Sequence, residues 1–182
     1  MADVDTININ ELFDRLSVLQ AAQTLPPVQS WQPERTGRID VRIAADGTWY
    51  HEGTAFTRHA LVRLFSTILR KDPDGYCLVT PAEKLLIEVE DVPFLAVDCE
   101  VKGTGSTAEL LFTTNMDDYV IADADHLLWV EGSTDSPRPY LHVRDGLNAL
   151  LTRPLFYRLA DLCIADDDGY WLSSRGRRFQ LG

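Results

Sequence analysis

The sequence predicts an α+β chain of two halves related by duplication, mostly antiparallel sheet with a capping helix in each. The first observation behind this is a stretch that occurs twice. Thr57-Arg58 opens an apolar-periodic run that ends in Lys71-Asp72-Pro73-Asp74-Gly75 and hands over to Tyr76-Cys77-Leu78-Val79. Thr152-Arg153 opens a second run that ends in Asp166-Asp167-Asp168-Gly169 and hands over to Tyr170-Trp171-Leu172. A Val-Arg pair and an Asp-Gly pair precede both, which reads as a repeated unit of hairpin, helix and strand. The second observation is the stretch between the copies, which has no helical period and is cut by regularly spaced turn signals. The third is composition. At 182 residues, 45% apolar and 25% charged, the chain is ordinary for a soluble globular protein. The implied organisation is an N-terminal helix and Pro-rich connector over 1–28, a first half over 29–82 and a larger second half over 83–182.

Asn8 with Glu11 three residues on, then Leu12, Phe13, Leu16 and Leu19, reads as a capped amphipathic helix ending near Ala22. Thr24-Leu25-Pro26-Pro27 cannot extend it, because proline has no amide to donate, so an extended connector carrying Trp31 and Pro33 follows. Ile39, Val41 and Ile43 alternate with Asp40 and Arg42, and Asp46-Gly47 then marks a hairpin. Read as a two-residue turn, it pairs Ala45 with Thr48, Ile43 with Tyr50 and Arg42 with His51. That register puts Arg42, Ala44, Trp49 and His51 on one face, opposite Ile39, Val41, Ile43 and Tyr50. In the first repeat helix Leu61, Leu64, Phe65, Ile68 and Leu69 form the apolar stripe and leave Arg63, Thr67 and Arg70 outward; in the second, Leu155, Leu159, Leu162 and Cys163 do the same. Between them, Leu85–Glu90, Leu95–Val101, Glu109–Thr113, Tyr119–Ala122, Leu127–Glu131 and Tyr140–Arg144 read as six short antiparallel strands.

Charge and cysteine usage narrow the function classes. A net charge of −11 repels a phosphate backbone, so a nucleic-acid polymer is not expected as a partner. No window approaches the ~20 apolar residues that span a bilayer, and the first ten residues lack the basic segment and apolar core of a signal peptide. Neither a membrane partner nor secretion is expected. Cys77, Cys99 and Cys163 are widely spaced inside apolar segments, which fits buried thiols in a reducing cytoplasm. Gly103-Thr104-Gly105-Ser106-Thr107-Ala108 resembles a dinucleotide fingerprint, but strand-like flanks make it a hairpin turn. A phosphate loop and a nucleophile elbow are both missing, and His51-Glu52 lacks a second histidine at metal-binding spacing, so no cofactor and no metal are expected. Glu88, Glu90 and Asp91 read as solvated strand charges and 166–168 as a solvated helix exit, with paired acid/base carboxylates as the alternative reading of the former.

The sharper signal is a cation at the start of both repeat helices. Arg58 and Arg153 meet the positive end of a helix dipole, at a cost of roughly 0.3–1 kcal/mol. Something anionic is therefore expected nearby: either an internal carboxylate such as Glu83, Glu90 or Asp91 bridging the halves, or a phosphate or carboxylate ligand. Arg42, Trp49 and His51 on one hairpin face would form a platform for a ring beside cationic donors; Arg42 simply stacked on Trp49 is the plainer alternative. Arg144 follows a valine in the second copy as Arg42 does in the first.

Over nearly its full length the chain resembles a bacterial family catalogued as domain of unknown function 1285. The resemblance is carried by Trp31-Gln32-Pro33, the run from Ile39 to Gly53, Thr80-Pro81-Ala82-Glu83-Lys84, Val89 to Phe94, Thr114-Asn115 and Arg153-Pro154-Leu155-Phe156-Tyr157. After His126 the family pattern has proline and this chain has Leu127. The likeness implies a two-part body whose later half resembles a pleckstrin-homology barrel, and a groove between the halves for a nucleotide-like ligand in signalling. It assigns no reaction. The expectation is a non-enzymatic cytoplasmic ligand-binding module, with Arg42, Trp49, His51, Arg58, Arg144 and Arg153 taking a small anionic, nucleotide-like molecule. The alternative is a protein-interaction domain that takes a peptide through its barrel-like half; a hydrolase using Glu90, Asp91 and His51 ranks below both.

Overall fold

The computed structural model describes Ile9 and residues 25–182, so the helix expected from Asn8 to Ala22 lies, Ile9 apart, outside the described residues. The chain forms two compact units, 1–91 and 92–182.

The first unit runs β1 (Arg35–Ile43), β2 (Trp49–His51), β3 (Thr54–Ala55), α1 (His59–Thr67), β4 (Leu69–Asp72), β5 (Gly75–Val79) and β6 (Glu83–Val89). Its strands lie in the order β3-β2-β1-β6-β5-β4. Two antiparallel meanders are thus joined by one parallel pair, β1 with β6. Parallel neighbours require a crossover, and α1 lies within it. The boundary expected after residue 82 falls later, because β6 is hydrogen-bonded to both β1 and β5 and belongs to the first sheet. Ile43, Phe65, Ile68, Leu78 and Leu85, each no more than 1% exposed, form the centre of this half.

The second unit opens with β7 (Phe94–Lys102), β8 (Glu109–Thr114), β9 (Tyr119–Ile121), β10 (Leu128–Ser133), β11 (Ser136–Arg144) and β12 (Leu147–Leu151). Their order is β10-β11-β12-β7-β8-β9, again two meanders joined by one parallel pair, β12 with β7. Read from the other end, this is the strand order of the first sheet. The helix, however, has moved: α2 (Arg153–Ala160) follows the second meander instead of separating the two. Behind it come β13 (Ile164–Asp166), β14 (Gly169–Ser174) and β15 (Arg177–Gln180), a separate three-stranded sheet. That sheet is tied to β8 by Leu110 N–H donating to Ser174 Oγ at 2.9 Å and Arg175 N–H donating to Ala108 O at 2.8 Å. Both six-stranded sheets are open, with β10 and β9 as the free ends of the second, so the barrel closure expected for the later half is not formed.

Two local expectations are corrected. The first repeat helix stops at Thr67, where the Ser66 and Thr67 hydroxyls donate back to the carbonyls of Arg63 and Leu64 at 2.7 Å each. Such back-bonding by short polar side chains competes with helix continuation. Leu69 and Arg70 therefore belong to β4, and Arg70 is buried, not outward. In the second repeat α2 ends at Ala160, which leaves Leu162 half exposed beyond it.

The hairpin register is the other correction. Val41 pairs with His51, Arg42 with Tyr50 and Ile43 with Trp49, one residue away from the expected pairing. Ala44 N–H donates to Thr48 O, and Gly47 N–H donates to Ala44 O, both at 2.9 Å, so the loop has three residues, 45–47. Gly47 takes the left-handed conformation (φ 84°), which makes this a tight turn followed by a glycine bulge. One residue of shift moves every side chain to the opposite face. Trp49 consequently joins Val41 and Ile43 in the core at 2% exposed.

Candidate functional site

In the first half the structure separates the residues grouped by the sequence reading. Trp49 is in the core, while the Arg42 guanidinium lies 4.3 Å from the centre of the Tyr50 ring and forms an ion pair with Glu90. Glu90 also accepts from Ala45 N–H at 2.8 Å, so its carboxylate closes the hairpin loop. His51 stacks on Phe56, with ring centres 6.2 Å apart. The platform of Arg42, Trp49 and His51 is not formed. Arg58 does precede α1 as its capping residue, exposed, with no side-chain cap bond and no acidic residue in the first turn.

In the second half Arg144 reaches Asp118 at 3.2 Å and lies 5.1 Å from the centre of the Phe94 ring. The hairpin behind it has a two-residue turn, Asp145-Gly146, both at positive φ, and a bulge that sets Asn148 opposite His142. Arg153 is the first residue of α2 and exposed. Neither Arg58 nor Arg153 makes an ion pair among the described residues; Glu90, one of the carboxylates expected to hold them, is engaged by Arg42.

The feature the sequence reading missed is a groove of about 660 Å³ within the second half, between β10 and the end of β15. Trp129, Phe156 and Phe179 supply aromatic wall, Leu127 and Val130 aliphatic wall, and Arg177 and Arg178 its charge. Leu127, the departure from the family pattern, is thus a wall residue. Trp129 is held in place: its ring stacks on Tyr140 at 5.6 Å, and its Nε1–H donates to Glu131 at 2.8 Å. Arg178 is also committed, 4.3 Å from the centre of the Trp171 ring and 2.5 Å from Asp166. That partner holds the Asp166 carboxyl below its usual range, chiefly through the hydrogen bond from Arg178. Arg177 is different. It is exposed, lies 5.9 Å from the centre of the Phe179 ring, and makes no ion pair among the described residues. One sequence signal would have flagged it: Arg175, Arg177 and Arg178 cluster within four residues of a chain whose net charge is −11.

Comparison with known proteins places the chain. Residues 26–92 match the N-terminal domain of a domain of unknown function, DUF1285, and residues 93–181 match the C-terminal domain of the same family. The chain belongs to the DUF1285 family. The crystal structure of a DUF1285 family protein from Silicibacter pomeroyi DSS-3 is 44% identical, with a TM-score of 0.82 over 91% of this chain and 93% of that one. A second DUF1285 protein, from Shewanella baltica OS155, is 29% identical, with a TM-score of 0.53 over 66% of this chain and 90% of that one. No curated protein matches. The family description names no activity, and the chemistry this DUF1285 protein offers is that of its groove and its titratable groups.

Those groups are quiet. Among the described residues no three His, Cys, Asp or Glu side chains are placed to hold a metal, and no helix is long and apolar enough to cross a membrane. All three thiols are free. Burial pushes Cys77 up to about 11 and Cys99 up to about 12, and raises Cys163 as well. The thiolate is the reactive form, so at pH 8 the native protein should react with a thiol reagent slowly and at Cys163 first, the least buried of the three. Mass-spectrometric mapping of alkylated cysteines checks this; rapid labelling of Cys77 would contradict the packing of β5.

Proposed function

We propose that the chain is a non-enzymatic binding module whose second half takes an anionic ligand with an apolar or aromatic body in the groove beside β10. The single observation that carries the reading is Arg177, an exposed guanidinium without an ion pair among the described residues, at the mouth of a groove walled by Trp129, Phe156 and Phe179. A volume of about 660 Å³ is within the range of ligand sites, and apolar walls with a few placed polar groups are their usual make-up. A guanidinium beside ring faces suits a carboxylate or phosphate joined to a flat or apolar body. A nucleotide-like molecule and a short acidic peptide both answer that description. A role in cytoplasmic signalling fits a module of this kind.

The test is titration of the full chain with nucleotides, inorganic phosphate and acidic peptides, read at the indole N–H resonance of Trp129 and by thermal shift. At least one of them should move that resonance and raise the melting temperature. Arg177→Glu should abolish both effects while leaving the unliganded melting temperature unchanged. Stabilisation that survives Arg177→Glu but disappears in an Arg58→Ala, Arg153→Ala double variant would transfer binding to the helix starts and sink the groove reading.

A further inference from the structure

We infer that the groove takes a small aromatic monoanion, a flat ring system bearing one two-oxygen anion such as a carboxylate or a phosphodiester; the inference rests on the groove reading above and names its ligand class. The supply of cations sets the charge. Arg175, Arg177 and Arg178 cluster at the turn from β14 into β15, and Arg177 and Arg178 are the charged residues that line the groove. Arg175 is held by Glu109 at 2.7 Å and Asp123 at 3.1 Å. Arg178 is paired with Asp166 and stacked on Trp171. Of the three, Arg177 is left without an ion pair among the described residues. A ligand with one negative charge balances it. A second charge on the ligand finds no second unpaired cation in the lining; it meets Asp166 behind Arg178 and the field of a chain at −11.

More highly charged phosphate groups are commonly met by a helix N-terminus or by several cations. Helix α2 contributes Phe156 to the lining, not Arg153 or Pro154 at its start, and the Phe156 amide already donates to Thr152 O at 2.9 Å. The anion is therefore held by one guanidinium, whose planar fork matches the two oxygens of a carboxylate or a phosphodiester. The body of the ligand follows from the walls. Trp129 is fixed by its stack on Tyr140, which is 5% exposed, and by Glu131, which accepts its indole N–H. The indole thus offers the ligand a ring surface and no donor. Phe179, 4% exposed, lies 5.9 Å from the Arg177 guanidinium and keeps the charge beside the rings. Cation and aromatic surface are set before the ligand arrives, which lowers the ordering cost of binding. A flat ring stacked on these walls, with its anion on Arg177, uses both.

The experiment is titration of the full chain with two matched series, followed at the Trp129 indole N–H resonance. The first series is naphthamide, naphthoate and naphthyl phosphate, which are neutral, singly charged and close to doubly charged at neutral pH. The second is cyclic AMP, AMP and ATP, in which charge rises from a phosphodiester monoanion. Naphthoate should bind about tenfold or more tightly than naphthamide, the worth of a charge-assisted bond to Arg177. In each series the monoanion should bind no more weakly than its more highly charged relatives, and the tighter of the two monoanions assigns carboxylate or phosphodiester. Arg177→Gln should make naphthoate and naphthamide equal while the melting temperature stays that of the native chain, because Arg177 is exposed. Arg177→Lys keeps the charge without the fork and should lose affinity several-fold. Binding of naphthyl phosphate, AMP or ATP tenfold tighter than the monoanion, and lost in Arg177→Gln, would overturn the single charge and keep the groove. An acidic peptide that moves the resonance where neither monoanion does would overturn the aromatic small molecule and also keep the groove. Silence of the resonance with every probe would reject the groove and its ligand together.

Discussion

Replacing Arg70 with alanine should cost about 2–4 kcal/mol, since it leaves the carbonyls of Val28 and Trp31 unmet while Asp72 keeps only Lys84. Arg70 is 7% exposed, and its guanidinium makes four directed bonds. Nε and Nη2 grip the two oxygens of Asp72 at 2.7 and 2.8 Å, and Nη1 donates to the carbonyls of Val28 and Trp31 at 2.8 and 2.9 Å. One side chain thus fastens the turn at Val28–Ser30 to β4. Lys84 extends the network, 2.7 Å from both Asp72 and Asp74. The bidentate grip, strongest among the causes, holds the Asp72 carboxyl below its usual range, with burial opposing it. A carboxyl depressed on folding contributes stability above its unfolded value, near 3.9, and loses it as pH falls through the folded value. Urea denaturation at pH 7 should show the full loss in Arg70→Ala, and the gap to the native chain should narrow below about pH 4. A gap that stays constant into acid would mean that the two carbonyl bonds, and not Asp72, carry the effect.

The contrast between the two Asp-Gly hairpins shows where the sequence was legible and where it was not. Asp46-Gly47 and Asp145-Gly146 mark turns equally well, yet the first sits in a three-residue loop and the second is a two-residue turn with both φ positive. Nothing in the dipeptide separates the two. Two carboxylates hold the first loop, one of them from far along the chain: Asp46 accepts from Thr48 N–H at 2.9 Å and Glu90 from Ala45 N–H at 2.8 Å. A reading confined to turn type therefore finds the hairpin and misses its register. The starts of both helices, at Arg58 and Arg153, were readable because they follow extended residues and open an apolar stripe; the end of the first was not, since it is set by the Ser66 and Thr67 hydroxyls donating back to helix carbonyls, which the stripe does not report. The parallel pairs β1–β6 and β12–β7 join residues some 45 to 55 positions apart, beyond any periodicity signal. The groove was hidden for the same reason. Its walls, β10 and β15, are far apart in the chain, and the strand order that leaves both at an edge is a property of the whole sheet.

Trp49→Ala should be the other severe lesion, at about 3–5 kcal/mol, because it empties a large buried volume that its neighbours cannot fill. The indole is 2% exposed on the face shared with Val41 and Ile43, which are 1% and 0% exposed. Trp49→Phe should behave quite differently. Nε1 of Trp49 is buried without an acceptor among the described residues, and an unmet buried donor costs roughly 1–3 kcal/mol. Removing the N–H with the five-membered ring offsets much of the lost packing, so the phenylalanine variant should remain within about 1 kcal/mol of the native chain. On the opposite face Arg42→Ala gives up a half-exposed ion pair with Glu90 and a stack on Tyr50, worth about 1 kcal/mol or less. The ordering of these three variants in equilibrium unfolding reports the hairpin register directly. Under a two-residue turn, Trp49 would share the solvent face with Arg42, and its truncation would cost no more than that of the arginine. A measured loss below about 1 kcal/mol for Trp49→Ala would therefore restore the shorter turn and, with it, the ring platform beside Arg42 and His51.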